Sequence, residues 1–577
     1  MSARSRYPRG PVDRDPPSSP LLARLLPGGP TTSVGRWTDR LSVVLLIVFA
    51  IVVLAVFRDF GVTWDERPHM SYGDLIGRFF LSGGEDTRAL TFRANYYYGG
   101  GFDALGAAFR WLVRPMNQHM AMHLLGALLG ILGVVGTWRL GRRLGGPFVG
   151  LVAGLLLAFN PVYFGHMFNN PKDLPFAVAY VWAIHALVGV IAALPRPTRA
   201  QWRRVAVTIA AAMSVRIAGV LLLCYLGLIV ALYAFAQGRA RRSVEAGLEV
   251  LWRVGRRASL TALGAWVLML LTWPWALLDP LRRPFIALTH MSMFLMHKRL
   301  MPFRGEDIWT FDIGRDYLPT YFGIQLPEVV LLFGLLGTVH GVYTLARYGR
   351  RQRVLVPALA LLLLGLSIWL PPVYAIYKRS ILYDAYRHFL FVVPSLSVLA
   401  ALMIDRLAAP LCARLPRFGP GLVGGGLLAV CLDLGVTMHH LHPQEYVYFN
   451  RLVGGLGGAH GNYDTDYYGN SYKEAFTGLR DSLWRDEPEA YLDTMYYFRG
   501  CISAYTAGHY LPPNFRIHRS RQGAKRSADF HVGYTRGHCD RRSAGSPVLF
   551  TVEREGAALN VVRDLRRAAE RREEAAP

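Results

Sequence analysis

The sequence predicts an α-helical, polytopic membrane protein of about eleven spans, followed by a C-terminal extracytoplasmic α/β domain. Of the 577 residues, 52% are hydrophobic, and the mean hydropathy is positive. The apolar residues are collected in runs that approach the ~20 residues needed to cross a bilayer. Arginines fill the short loops between the runs, so membrane topology accounts for the net charge of +25, and no nucleic-acid partner is predicted.

The positive-inside rule orients the chain in the cell inner membrane. Five short loops are rich in arginine and are expected to be cytoplasmic: 139–143, 196–204, 239–257, 347–353 and 406–417. With a cytoplasmic N-terminus, alternation gives spans at 41–57, 120–138, 147–162, 175–194, 204–215, 217–237, 258–278, 328–346, 354–372, 388–404 and 419–438. Two cytoplasmic loops require a hairpin within 204–237, although hydropathy alone also allows one long helix there.

Three regions follow from this topology. Residues 1–40 are predicted to be a cytoplasmic disordered tail, and residues 41–438 to form the transmembrane domain, with outer loops at 58–119, 163–174, 279–328 and 371–387. The outer domain, 439–577, has the pattern of a helix at 472–484, strands at 490–495 and 530–534, a hairpin at 548–562 turning near Glu555-Gly556, and a charged helix or disordered tail at 563–574. Among the five cysteines, Cys501 and Cys539 share this domain and could be bridged there if it is extracytoplasmic.

The first distinctive motif is Thr63-Trp64-Asp65-Glu66-Arg67, directly after the first span. A carboxylate at the membrane surface can accept a proton from an attacking hydroxyl, and a neighbouring arginine can bind a phosphate. An ordinary interfacial charged loop would have the same composition.

The second motif runs from Gly165 to Asp173 and includes His166, Asn170, Lys172 and Asp173. Its polar density is high for a short outer loop, which is compatible with a site. Pro171 and Asn170 could equally form a simple turn, with Lys172 and Asp173 as a surface ion pair.

The third motif, Tyr383-Asp384-Ala385-Tyr386-Arg387-His388, enters the tenth predicted span. Arg387 and His388 at the mouth of a helix bundle could hold an anionic lipid phosphate, or could be interfacial anchors. Arg216, at the outer end of the predicted hairpin, is either a phosphate ligand or a snorkelling side chain. The sequence contains no Walker-type loop, dinucleotide fingerprint, Cys/His metal spacing or Gly-x-Ser-x-Gly motif.

The order of these motifs resembles the type C glycosyltransferases, and within them the protein O-mannosyltransferase and aminoarabinose transferase superfamily. The third motif, together with His442–Asn450 and Asp464–Ser471, is similar to a bacterial subgroup described as phospholipid-carrier-dependent glycosyltransferases. The resemblance covers most of residues 41–479.

The resemblance implies that the transmembrane domain is catalytic and moves a hexosyl or pentosyl group, with inversion, from a polyprenyl-phosphate carrier to a lipid, glycan or protein acceptor outside. Catalytic roles would fall on Asp65, Glu66 and Asp173, with Asp65 orienting or deprotonating the acceptor. Lys172, Arg216, Arg387 and His388 would hold the donor phosphate, although Arg216 lies outside the matched motifs. The rest of the pocket would be formed by Arg67, His166, Asn170 and Asp384. No cofactor is required by the sequence, and dependence on a divalent metal is left open.

Two rival hypotheses assign the chain to other classes of protein, a transporter and a non-catalytic scaffold. A transporter or flippase of a lipid-linked sugar would use the same cationic mouth, but it predicts inverted repeats and interrupted helices, which the sequence does not show. A catalytically silent scaffold could bind envelope glycan through the aromatic stretch 463–472.

Overall fold

The structure, a computed structural model, describes residue 22 and residues 32–293, 298–349, 351–518 and 528–566. The first part of the chain is almost entirely helical. Its α-helices are α1 (Thr32–Val56), α2 (Glu66–Leu81), α3 (Gly101–Leu112), α4 (Gln118–Gly145), α5 (Pro147–Ala158), α6 (Pro161–Asn169), α7 (Asp173–Ala192), α8 (Arg199–Val215), α9 (Val220–Arg241), α10 (Val244–Leu270), α11 (Pro274–Leu277) and α12 (Arg282–Met293).

A short hairpin interrupts the helices before the last membrane segments. It pairs β1 (Leu300–Phe303) antiparallel with β2 (Glu306–Trp309). The helices that follow are α13 (Tyr317–Gln325), α14 (Glu328–Tyr348), α15 (Leu355–Lys378), α16 (Val393–Arg414) and α17 (Gly419–Leu441). A 3₁₀ segment, Arg387–Val392, leads directly into α16.

The chain is a multi-pass membrane protein. Within the described ranges, eight helices are long and apolar enough to cross a membrane, or up to nine if the bent pair α5–α6 counts as one span. A helix lies at each predicted span, but α8 has only 17 residues. Helix α10 carries Arg253, Arg256 and Arg257 in its first half. The predicted number of about eleven spans is therefore higher than length and composition support.

Two boundaries differ from the sequence prediction. Instead of one straight span at 147–162, α5 and α6 meet at an angle of 65°. The side chain of Asn160 caps α6 by accepting a hydrogen bond from Tyr163 N (2.9 Å), and Pro161 begins the new helix. Most of the predicted outer loop 163–174 is consequently helical. At the N-terminus, α1 begins at Thr32, so residues 32–40 of the predicted tail 1–40 are helical. The rest of that tail, apart from Leu22, lies outside the described ranges.

The hairpin predicted within 204–237 is confirmed. Helix α8 ends at Val215, and Arg216 has an extended backbone (φ −141°, ψ 129°) before the chain turns into α9. The most buried spans are α7 and the Arg387–Arg414 segment, in each of which 83% of the apolar window is buried. The corresponding value is 11% for α1 and 6% for α17, so these two helices lie at the periphery, where lipid would contact them.

The C-terminal domain is α/β, as predicted. Its helices are α18 (Gly455–Ala459), α19 (Tyr472–Asp486), α20 (Pro488–Asp493) and α21 (Ala504–Tyr510). A five-stranded sheet has the order β4-β3-β5-β7-β6, formed by β3 (Tyr496–Gly500), β4 (Phe515–Ile517), β5 (Phe530–Tyr534), β6 (Val548–Arg554) and β7 (Ala557–Asp564). β3 is parallel to β4 and β5, whereas β7 is antiparallel to β5 and β6.

The predicted elements of this domain are confirmed except at two places. The hairpin turns at Glu555 and Gly556, which both have positive φ (47° and 76°), as a tight hairpin turn requires. The strand predicted at 490–495 is wrong, because α20 occupies most of it and the strand begins only at Tyr496. The first residues of the predicted tail, Arg563 and Asp564, belong to β7, and residues 567–577 lie outside the described ranges.

The glycine in the second motif allows a close contact between helices. A Cβ on Gly165 would lie 2.3 Å from the backbone nitrogen of Tyr446. We therefore expect Gly165→Ala to lower the free energy of unfolding by about 1–3 kcal/mol, measured by thermal unfolding of the purified protein in detergent. Gly227→Ala is the matched control, because Gly227 also lies within a helix and its Cβ would have no atom within 4 Å. Equal unfolding of both variants would contradict this packing.

Candidate functional site

The three sequence motifs meet at one end of the helix bundle. Asp65 is the N-cap residue of α2, Asp173 is the first residue of α7, and Arg387 opens the segment that leads into α16. These side chains are held in position because they stand at the ends of helices, and the apolar bodies of those helices are fixed by packing.

Asp65 is the carboxylate of this cluster with the greatest exposure, 24% of its side chain. Its Oδ2 lies 2.9 Å from Lys172 Nζ and 3.7 Å from an Arg387 nitrogen, and it accepts a hydrogen bond from the Tyr468 hydroxyl (2.9 Å). Burial raises the pKa of Asp65, but the charges of Lys172 and Arg387 outweigh burial and hold the pKa well below its usual range. Asp65 is therefore ionised at neutral pH.

Asp173 is almost completely buried, with 1% exposure. Its carboxylate accepts hydrogen bonds from Arg387 (2.8 Å), from Asn170 Nδ2 (3.0 Å) and from Arg216. The Asn170 side-chain oxygen accepts hydrogen bonds from the backbone nitrogens of Lys172 (3.2 Å) and Asp173 (2.9 Å), which fixes the turn. The Asn-Pro-Lys-Asp segment is thus both a turn and part of the cluster.

Arg387 connects the carboxylates. Its guanidinium donates to Asp384 Oδ2 from Nε (3.1 Å) and Nη2 (2.8 Å), and to Asp173 and Tyr468 from Nη1 (2.8 and 3.2 Å). The side chain of Asp384 is 2% exposed, and Arg536 of the C-terminal domain contacts its other oxygen. Asp384 and Ala385 have φ of 55° and 61°, a rare backbone conformation that turns the chain back on itself at the site.

Glu66 does not face the same pocket as Asp65. Its Oε2 lies 3.0 Å from His119 Nδ1 and 3.1 Å from His123 Nε2, while Oε1 accepts a hydrogen bond from Thr63 N (2.7 Å). Burial raises the pKa of Glu66, but the two imidazoles outweigh burial and lower the pKa to about 2. Glu66 therefore anchors the start of α2 against α4.

The other predicted site residues lie around this centre. His166 is buried beneath it, 3.1 Å from the Tyr467 hydroxyl and 3.2 Å from Asn170 Nδ2. The His388 ring is 4.7 Å from that of Tyr383, and its Nδ1 has no hydrogen-bond partner among the described residues. The Arg67 guanidinium lies 3.4 Å from the centre of the Tyr505 ring, so it contacts the C-terminal domain instead of the Asp65 cluster.

Two contacts in this cluster escaped the sequence analysis. Tyr468 belongs to the Asp464–Ser471 motif, but its hydroxyl contact with Asp65 depends on the tertiary fold. In the stretch 463–472 named by the scaffold hypothesis, Tyr467, Tyr468 and Tyr472 are at most 1% exposed, whereas Tyr463 is half-buried. Arg536 lies outside every motif, and no sequence signal identifies it.

The carboxylates are not arranged for a metal ion. Asp65, Asp173 and Asp384 are each paired with lysine or arginine side chains. In the described parts of the chain, no group of three or more His, Cys, Asp or Glu residues could hold a metal ion. The residues present therefore fit cationic binding of an anion better than coordination of a cation.

This cluster of carboxylates and cations at the end of a membrane helix bundle has the composition of a site for an anionic, membrane-borne ligand. Residues 107–255, about a quarter of the chain, match the family model of dolichyl-phosphate-mannose-protein mannosyltransferases. The resemblance to the protein O-mannosyltransferases is thereby confirmed over these residues. No curated protein matches the chain in sequence.

The solved structures that are similar to this chain include ArnT and AglB. ArnT from Cupriavidus metallidurans bound to undecaprenyl phosphate is 14% identical, with a TM-score of 0.46 over 90% of this chain and 97% of that one. The archaeal oligosaccharyltransferase AglB from Archaeoglobus fulgidus, in complex with an inhibitory peptide and a dolichol-phosphate, is 12% identical, with a TM-score of 0.46 over 81% of this chain and 63% of that one.

Asp464, at the edge of the site, gives a pH-dependent prediction. Burial, followed by repulsion from Asp384, raises its pKa to about 8, whereas an unfolded chain loses this proton near pH 4. Asp464 therefore lowers the stability of the fold as pH rises from about 4 to 8, by at most about 1.4 kcal/mol per pH unit. We expect Asp464→Asn to flatten this decline in thermal unfolding.

The exposed Asp486→Asn, at the end of α19, should leave the pH dependence of unfolding as in the wild type. If wild type and Asp464→Asn lose stability in parallel between pH 5 and 8, the pKa of Asp464 in the folded protein is not raised and the prediction is wrong.

Proposed function

We propose that this chain is a membrane glycosyltransferase that moves a sugar from a polyprenyl-phosphate carrier to an extracytoplasmic acceptor, with inversion at the anomeric carbon. The observation that carries the proposal is the contact of Asp65, the most exposed carboxylate of the cluster, with Lys172 (2.9 Å) and Arg387 (3.7 Å). One proton acceptor thus stands beside two cations at the end of the bundle. The match to the mannosyltransferase family supports the same function.

The positions of charged residues along the helices support an extracytoplasmic site. Helix α7 starts at the cluster and ends at the basic loop 196–204, and α8 returns from that loop to Arg216. The site and the arginine-rich loops therefore lie at opposite ends of the same helices, and the positive-inside rule assigns the loops to the cytoplasm. A disulfide between Cys501 and Cys539 is consistent with an oxidising compartment for the C-terminal domain.

The charges of the cluster suit a phosphodiester donor. The carboxylates of Asp65, Asp173 and Asp384 form ion pairs with five cations, Lys172, Arg216, Arg299, Arg387 and Arg536. Positive charge is thus in excess, and the single negative charge of a sugar-phosphate-polyprenyl diester would offset part of it. Lys172 and Arg387 would contact the phosphate, with Arg216 and His388 behind them.

The proposed reaction is a single in-line displacement. The acceptor hydroxyl oxygen forms a bond to the anomeric carbon while the bond from that carbon to the phosphate oxygen breaks. Asp65 takes the hydroxyl proton, and polyprenyl phosphate leaves with the bonding electrons. Lys172 and Arg387 stabilise the charge that develops on the leaving phosphate, so the leaving group needs little protonation. Asp173 positions Arg387 and Arg216.

The first test replaces the proposed base. Asp65→Asn keeps the size of the side chain but cannot accept a proton from the hydroxyl, so we expect kcat to fall by about 10²–10⁴-fold. The measurement is transfer of radiolabelled sugar from polyprenyl-phosphate sugars by purified protein, with equal folding checked by thermal unfolding. Asp312→Asn, an exposed aspartate in the loop before α13, is the matched control and should transfer at the wild-type rate.

Equal transfer by wild type and Asp65→Asn would remove Asp65 from the reaction. If wild type transfers no sugar from any polyprenyl-phosphate donor, the glycosyltransferase proposal itself fails, and movement of lipid-linked sugar in vesicles becomes the next assay.

The second test concerns the donor phosphate. Lys172→Met removes one charge-assisted hydrogen bond, so we expect the KM for the donor to rise about 10–100-fold. Lys378→Met, at the exposed outer end of α15, is the control for loss of one positive charge on the same side of the protein. A KM unchanged in Lys172→Met would show that the phosphate binds elsewhere.

A further inference from the structure

The C-terminal domain reaches the cluster through Arg536. This residue follows β5 and begins the 3₁₀ segment Arg536–Arg541. Its guanidinium, 8% exposed, donates one hydrogen bond to Asp384 Oδ1 and another to the backbone oxygen of Tyr467. Both partners lie in or next to the site, in segments of the chain far from Arg536 in sequence.

Asp384 therefore accepts hydrogen bonds from two arginines, and a third arginine, Arg299, lies 4.0 Å from its Oδ1 without a hydrogen bond. Arg387 holds Oδ2 through two donors, and Arg536 holds Oδ1. A buried carboxylate that loses one of its two hydrogen-bonded cationic partners is left partly uncompensated, which is costly in a low-dielectric environment. Without Arg536, Asp384 would compete more strongly for Arg387 and could also leave its strained turn, so Arg387 would lose its fixed orientation.

The position of Arg536 is in turn fixed by the covalent structure of its own domain. Cys539, three residues further on, is bridged to Cys501, which directly follows β3. His531 Nε2 lies 2.8 Å from the backbone oxygen of Cys539. Between Arg536 and Cys539, Gly537 and His538 both have positive φ (59° and 52°), a conformation that His538 adopts only when its surroundings enforce it.

We propose that Arg536 is a positioning residue for Arg387, and that the Cys501–Cys539 disulfide holds Arg536 in place, so that sugar transfer requires the oxidised C-terminal domain. The inference rests on the proposed glycosyltransferase function, and it adds a residue and a redox condition to it. Arg536 does not touch the acceptor or the reacting atoms and acts through Asp384.

The first experiment compares Arg536→Gln, Arg536→Lys and the control Arg516→Gln, an exposed arginine of β4 in the same domain. We expect Arg536→Gln to lower kcat about 10–100-fold, the effect of losing one charge-assisted hydrogen bond, and to change the KM for the acceptor less than threefold. Arg536→Lys should recover part of kcat, because it restores the charge. Wild-type kcat in Arg536→Gln would overturn the positioning role.

The second experiment removes the disulfide, by Cys501→Ser with Cys539→Ser, or by reducing the folded wild-type protein with a phosphine in case the double variant does not fold. If the disulfide acts through Arg536, its loss lowers kcat in the wild type and in Arg516→Gln, but causes little further loss in Arg536→Gln. Independent, multiplying losses in Arg536→Gln would overturn the link between the disulfide and Arg536.

A measurement without turnover separates this inference from the proposed function. Hydrogen exchange of the backbone in residues 383–390 should increase in Arg536→Gln and in reduced protein, and remain unchanged in Arg516→Gln. Unchanged exchange in both perturbed forms overturns the inference, even if the protein transfers sugar. Increased exchange supports the positioning role, even if no donor tested is used.

Discussion

The buried guanidinium of Arg387 joins three separate parts of the chain at the site. Arg387 donates hydrogen bonds to Asp173, Asp384 and Tyr468. These acceptors lie, in that order, at the start of α7, in the turn that precedes Arg387, and in the loop beyond α17. At 3% exposure, this cation has lost its water and is stable only while its donors are paired. The relative positions of α7, the 383–387 turn and the 464–471 loop are therefore coupled through a single side chain.

Apolar packing sets the positions of the helices, and the charged side chains then pair at the helix ends. α7 and the Arg387–Arg414 segment are the most buried spans, so their apolar side chains fix where their ends lie. The polar residues at those ends then need no long loops to meet. Asp173, as the first residue of α7, also places a negative charge at the positive end of the helix dipole. The rigid bundle thus holds the charged side chains together, so that they pair with one another instead of being hydrated by water.

Hydropathy was enough to predict the long apolar helices, and the arginine-rich loops predicted the turn at Arg216, because both depend on local composition. The sharp break between α5 and α6 was missed, since its apolar run is continuous and only Asn160 and Pro161 mark it. The strand predicted at 490–495 failed because β3 starts at Tyr496 and a short helix precedes it. Such boundaries depend on capping and on neighbouring strands.

The site was predictable where its residues stand at helix ends. Asp65, Lys172, Asp173 and Arg387 meet as their motifs indicate, whereas adjacent residues on a helix point about 100° apart, which sends Glu66 to the histidines of α4. Tyr468 and Arg536 arrive through the fold of the C-terminal domain, over sequence separations of 403 and 152 residues from their partners Asp65 and Asp384. No local pattern encodes contacts of that kind.

Lys172 and Arg387 pair with Asp65 in the free protein, and in the proposed reaction the same two cations bind the donor phosphate. Lys172 and Arg387 keep Asp65 ionised, and a carboxylate held in this way is a weak base. A bound phosphodiester would attract both cations and add a negative charge nearby, so each effect raises the proton affinity of Asp65. The carboxylate would then become an effective base only after the donor has bound, which disfavours activation of an acceptor or of water in the absence of the donor.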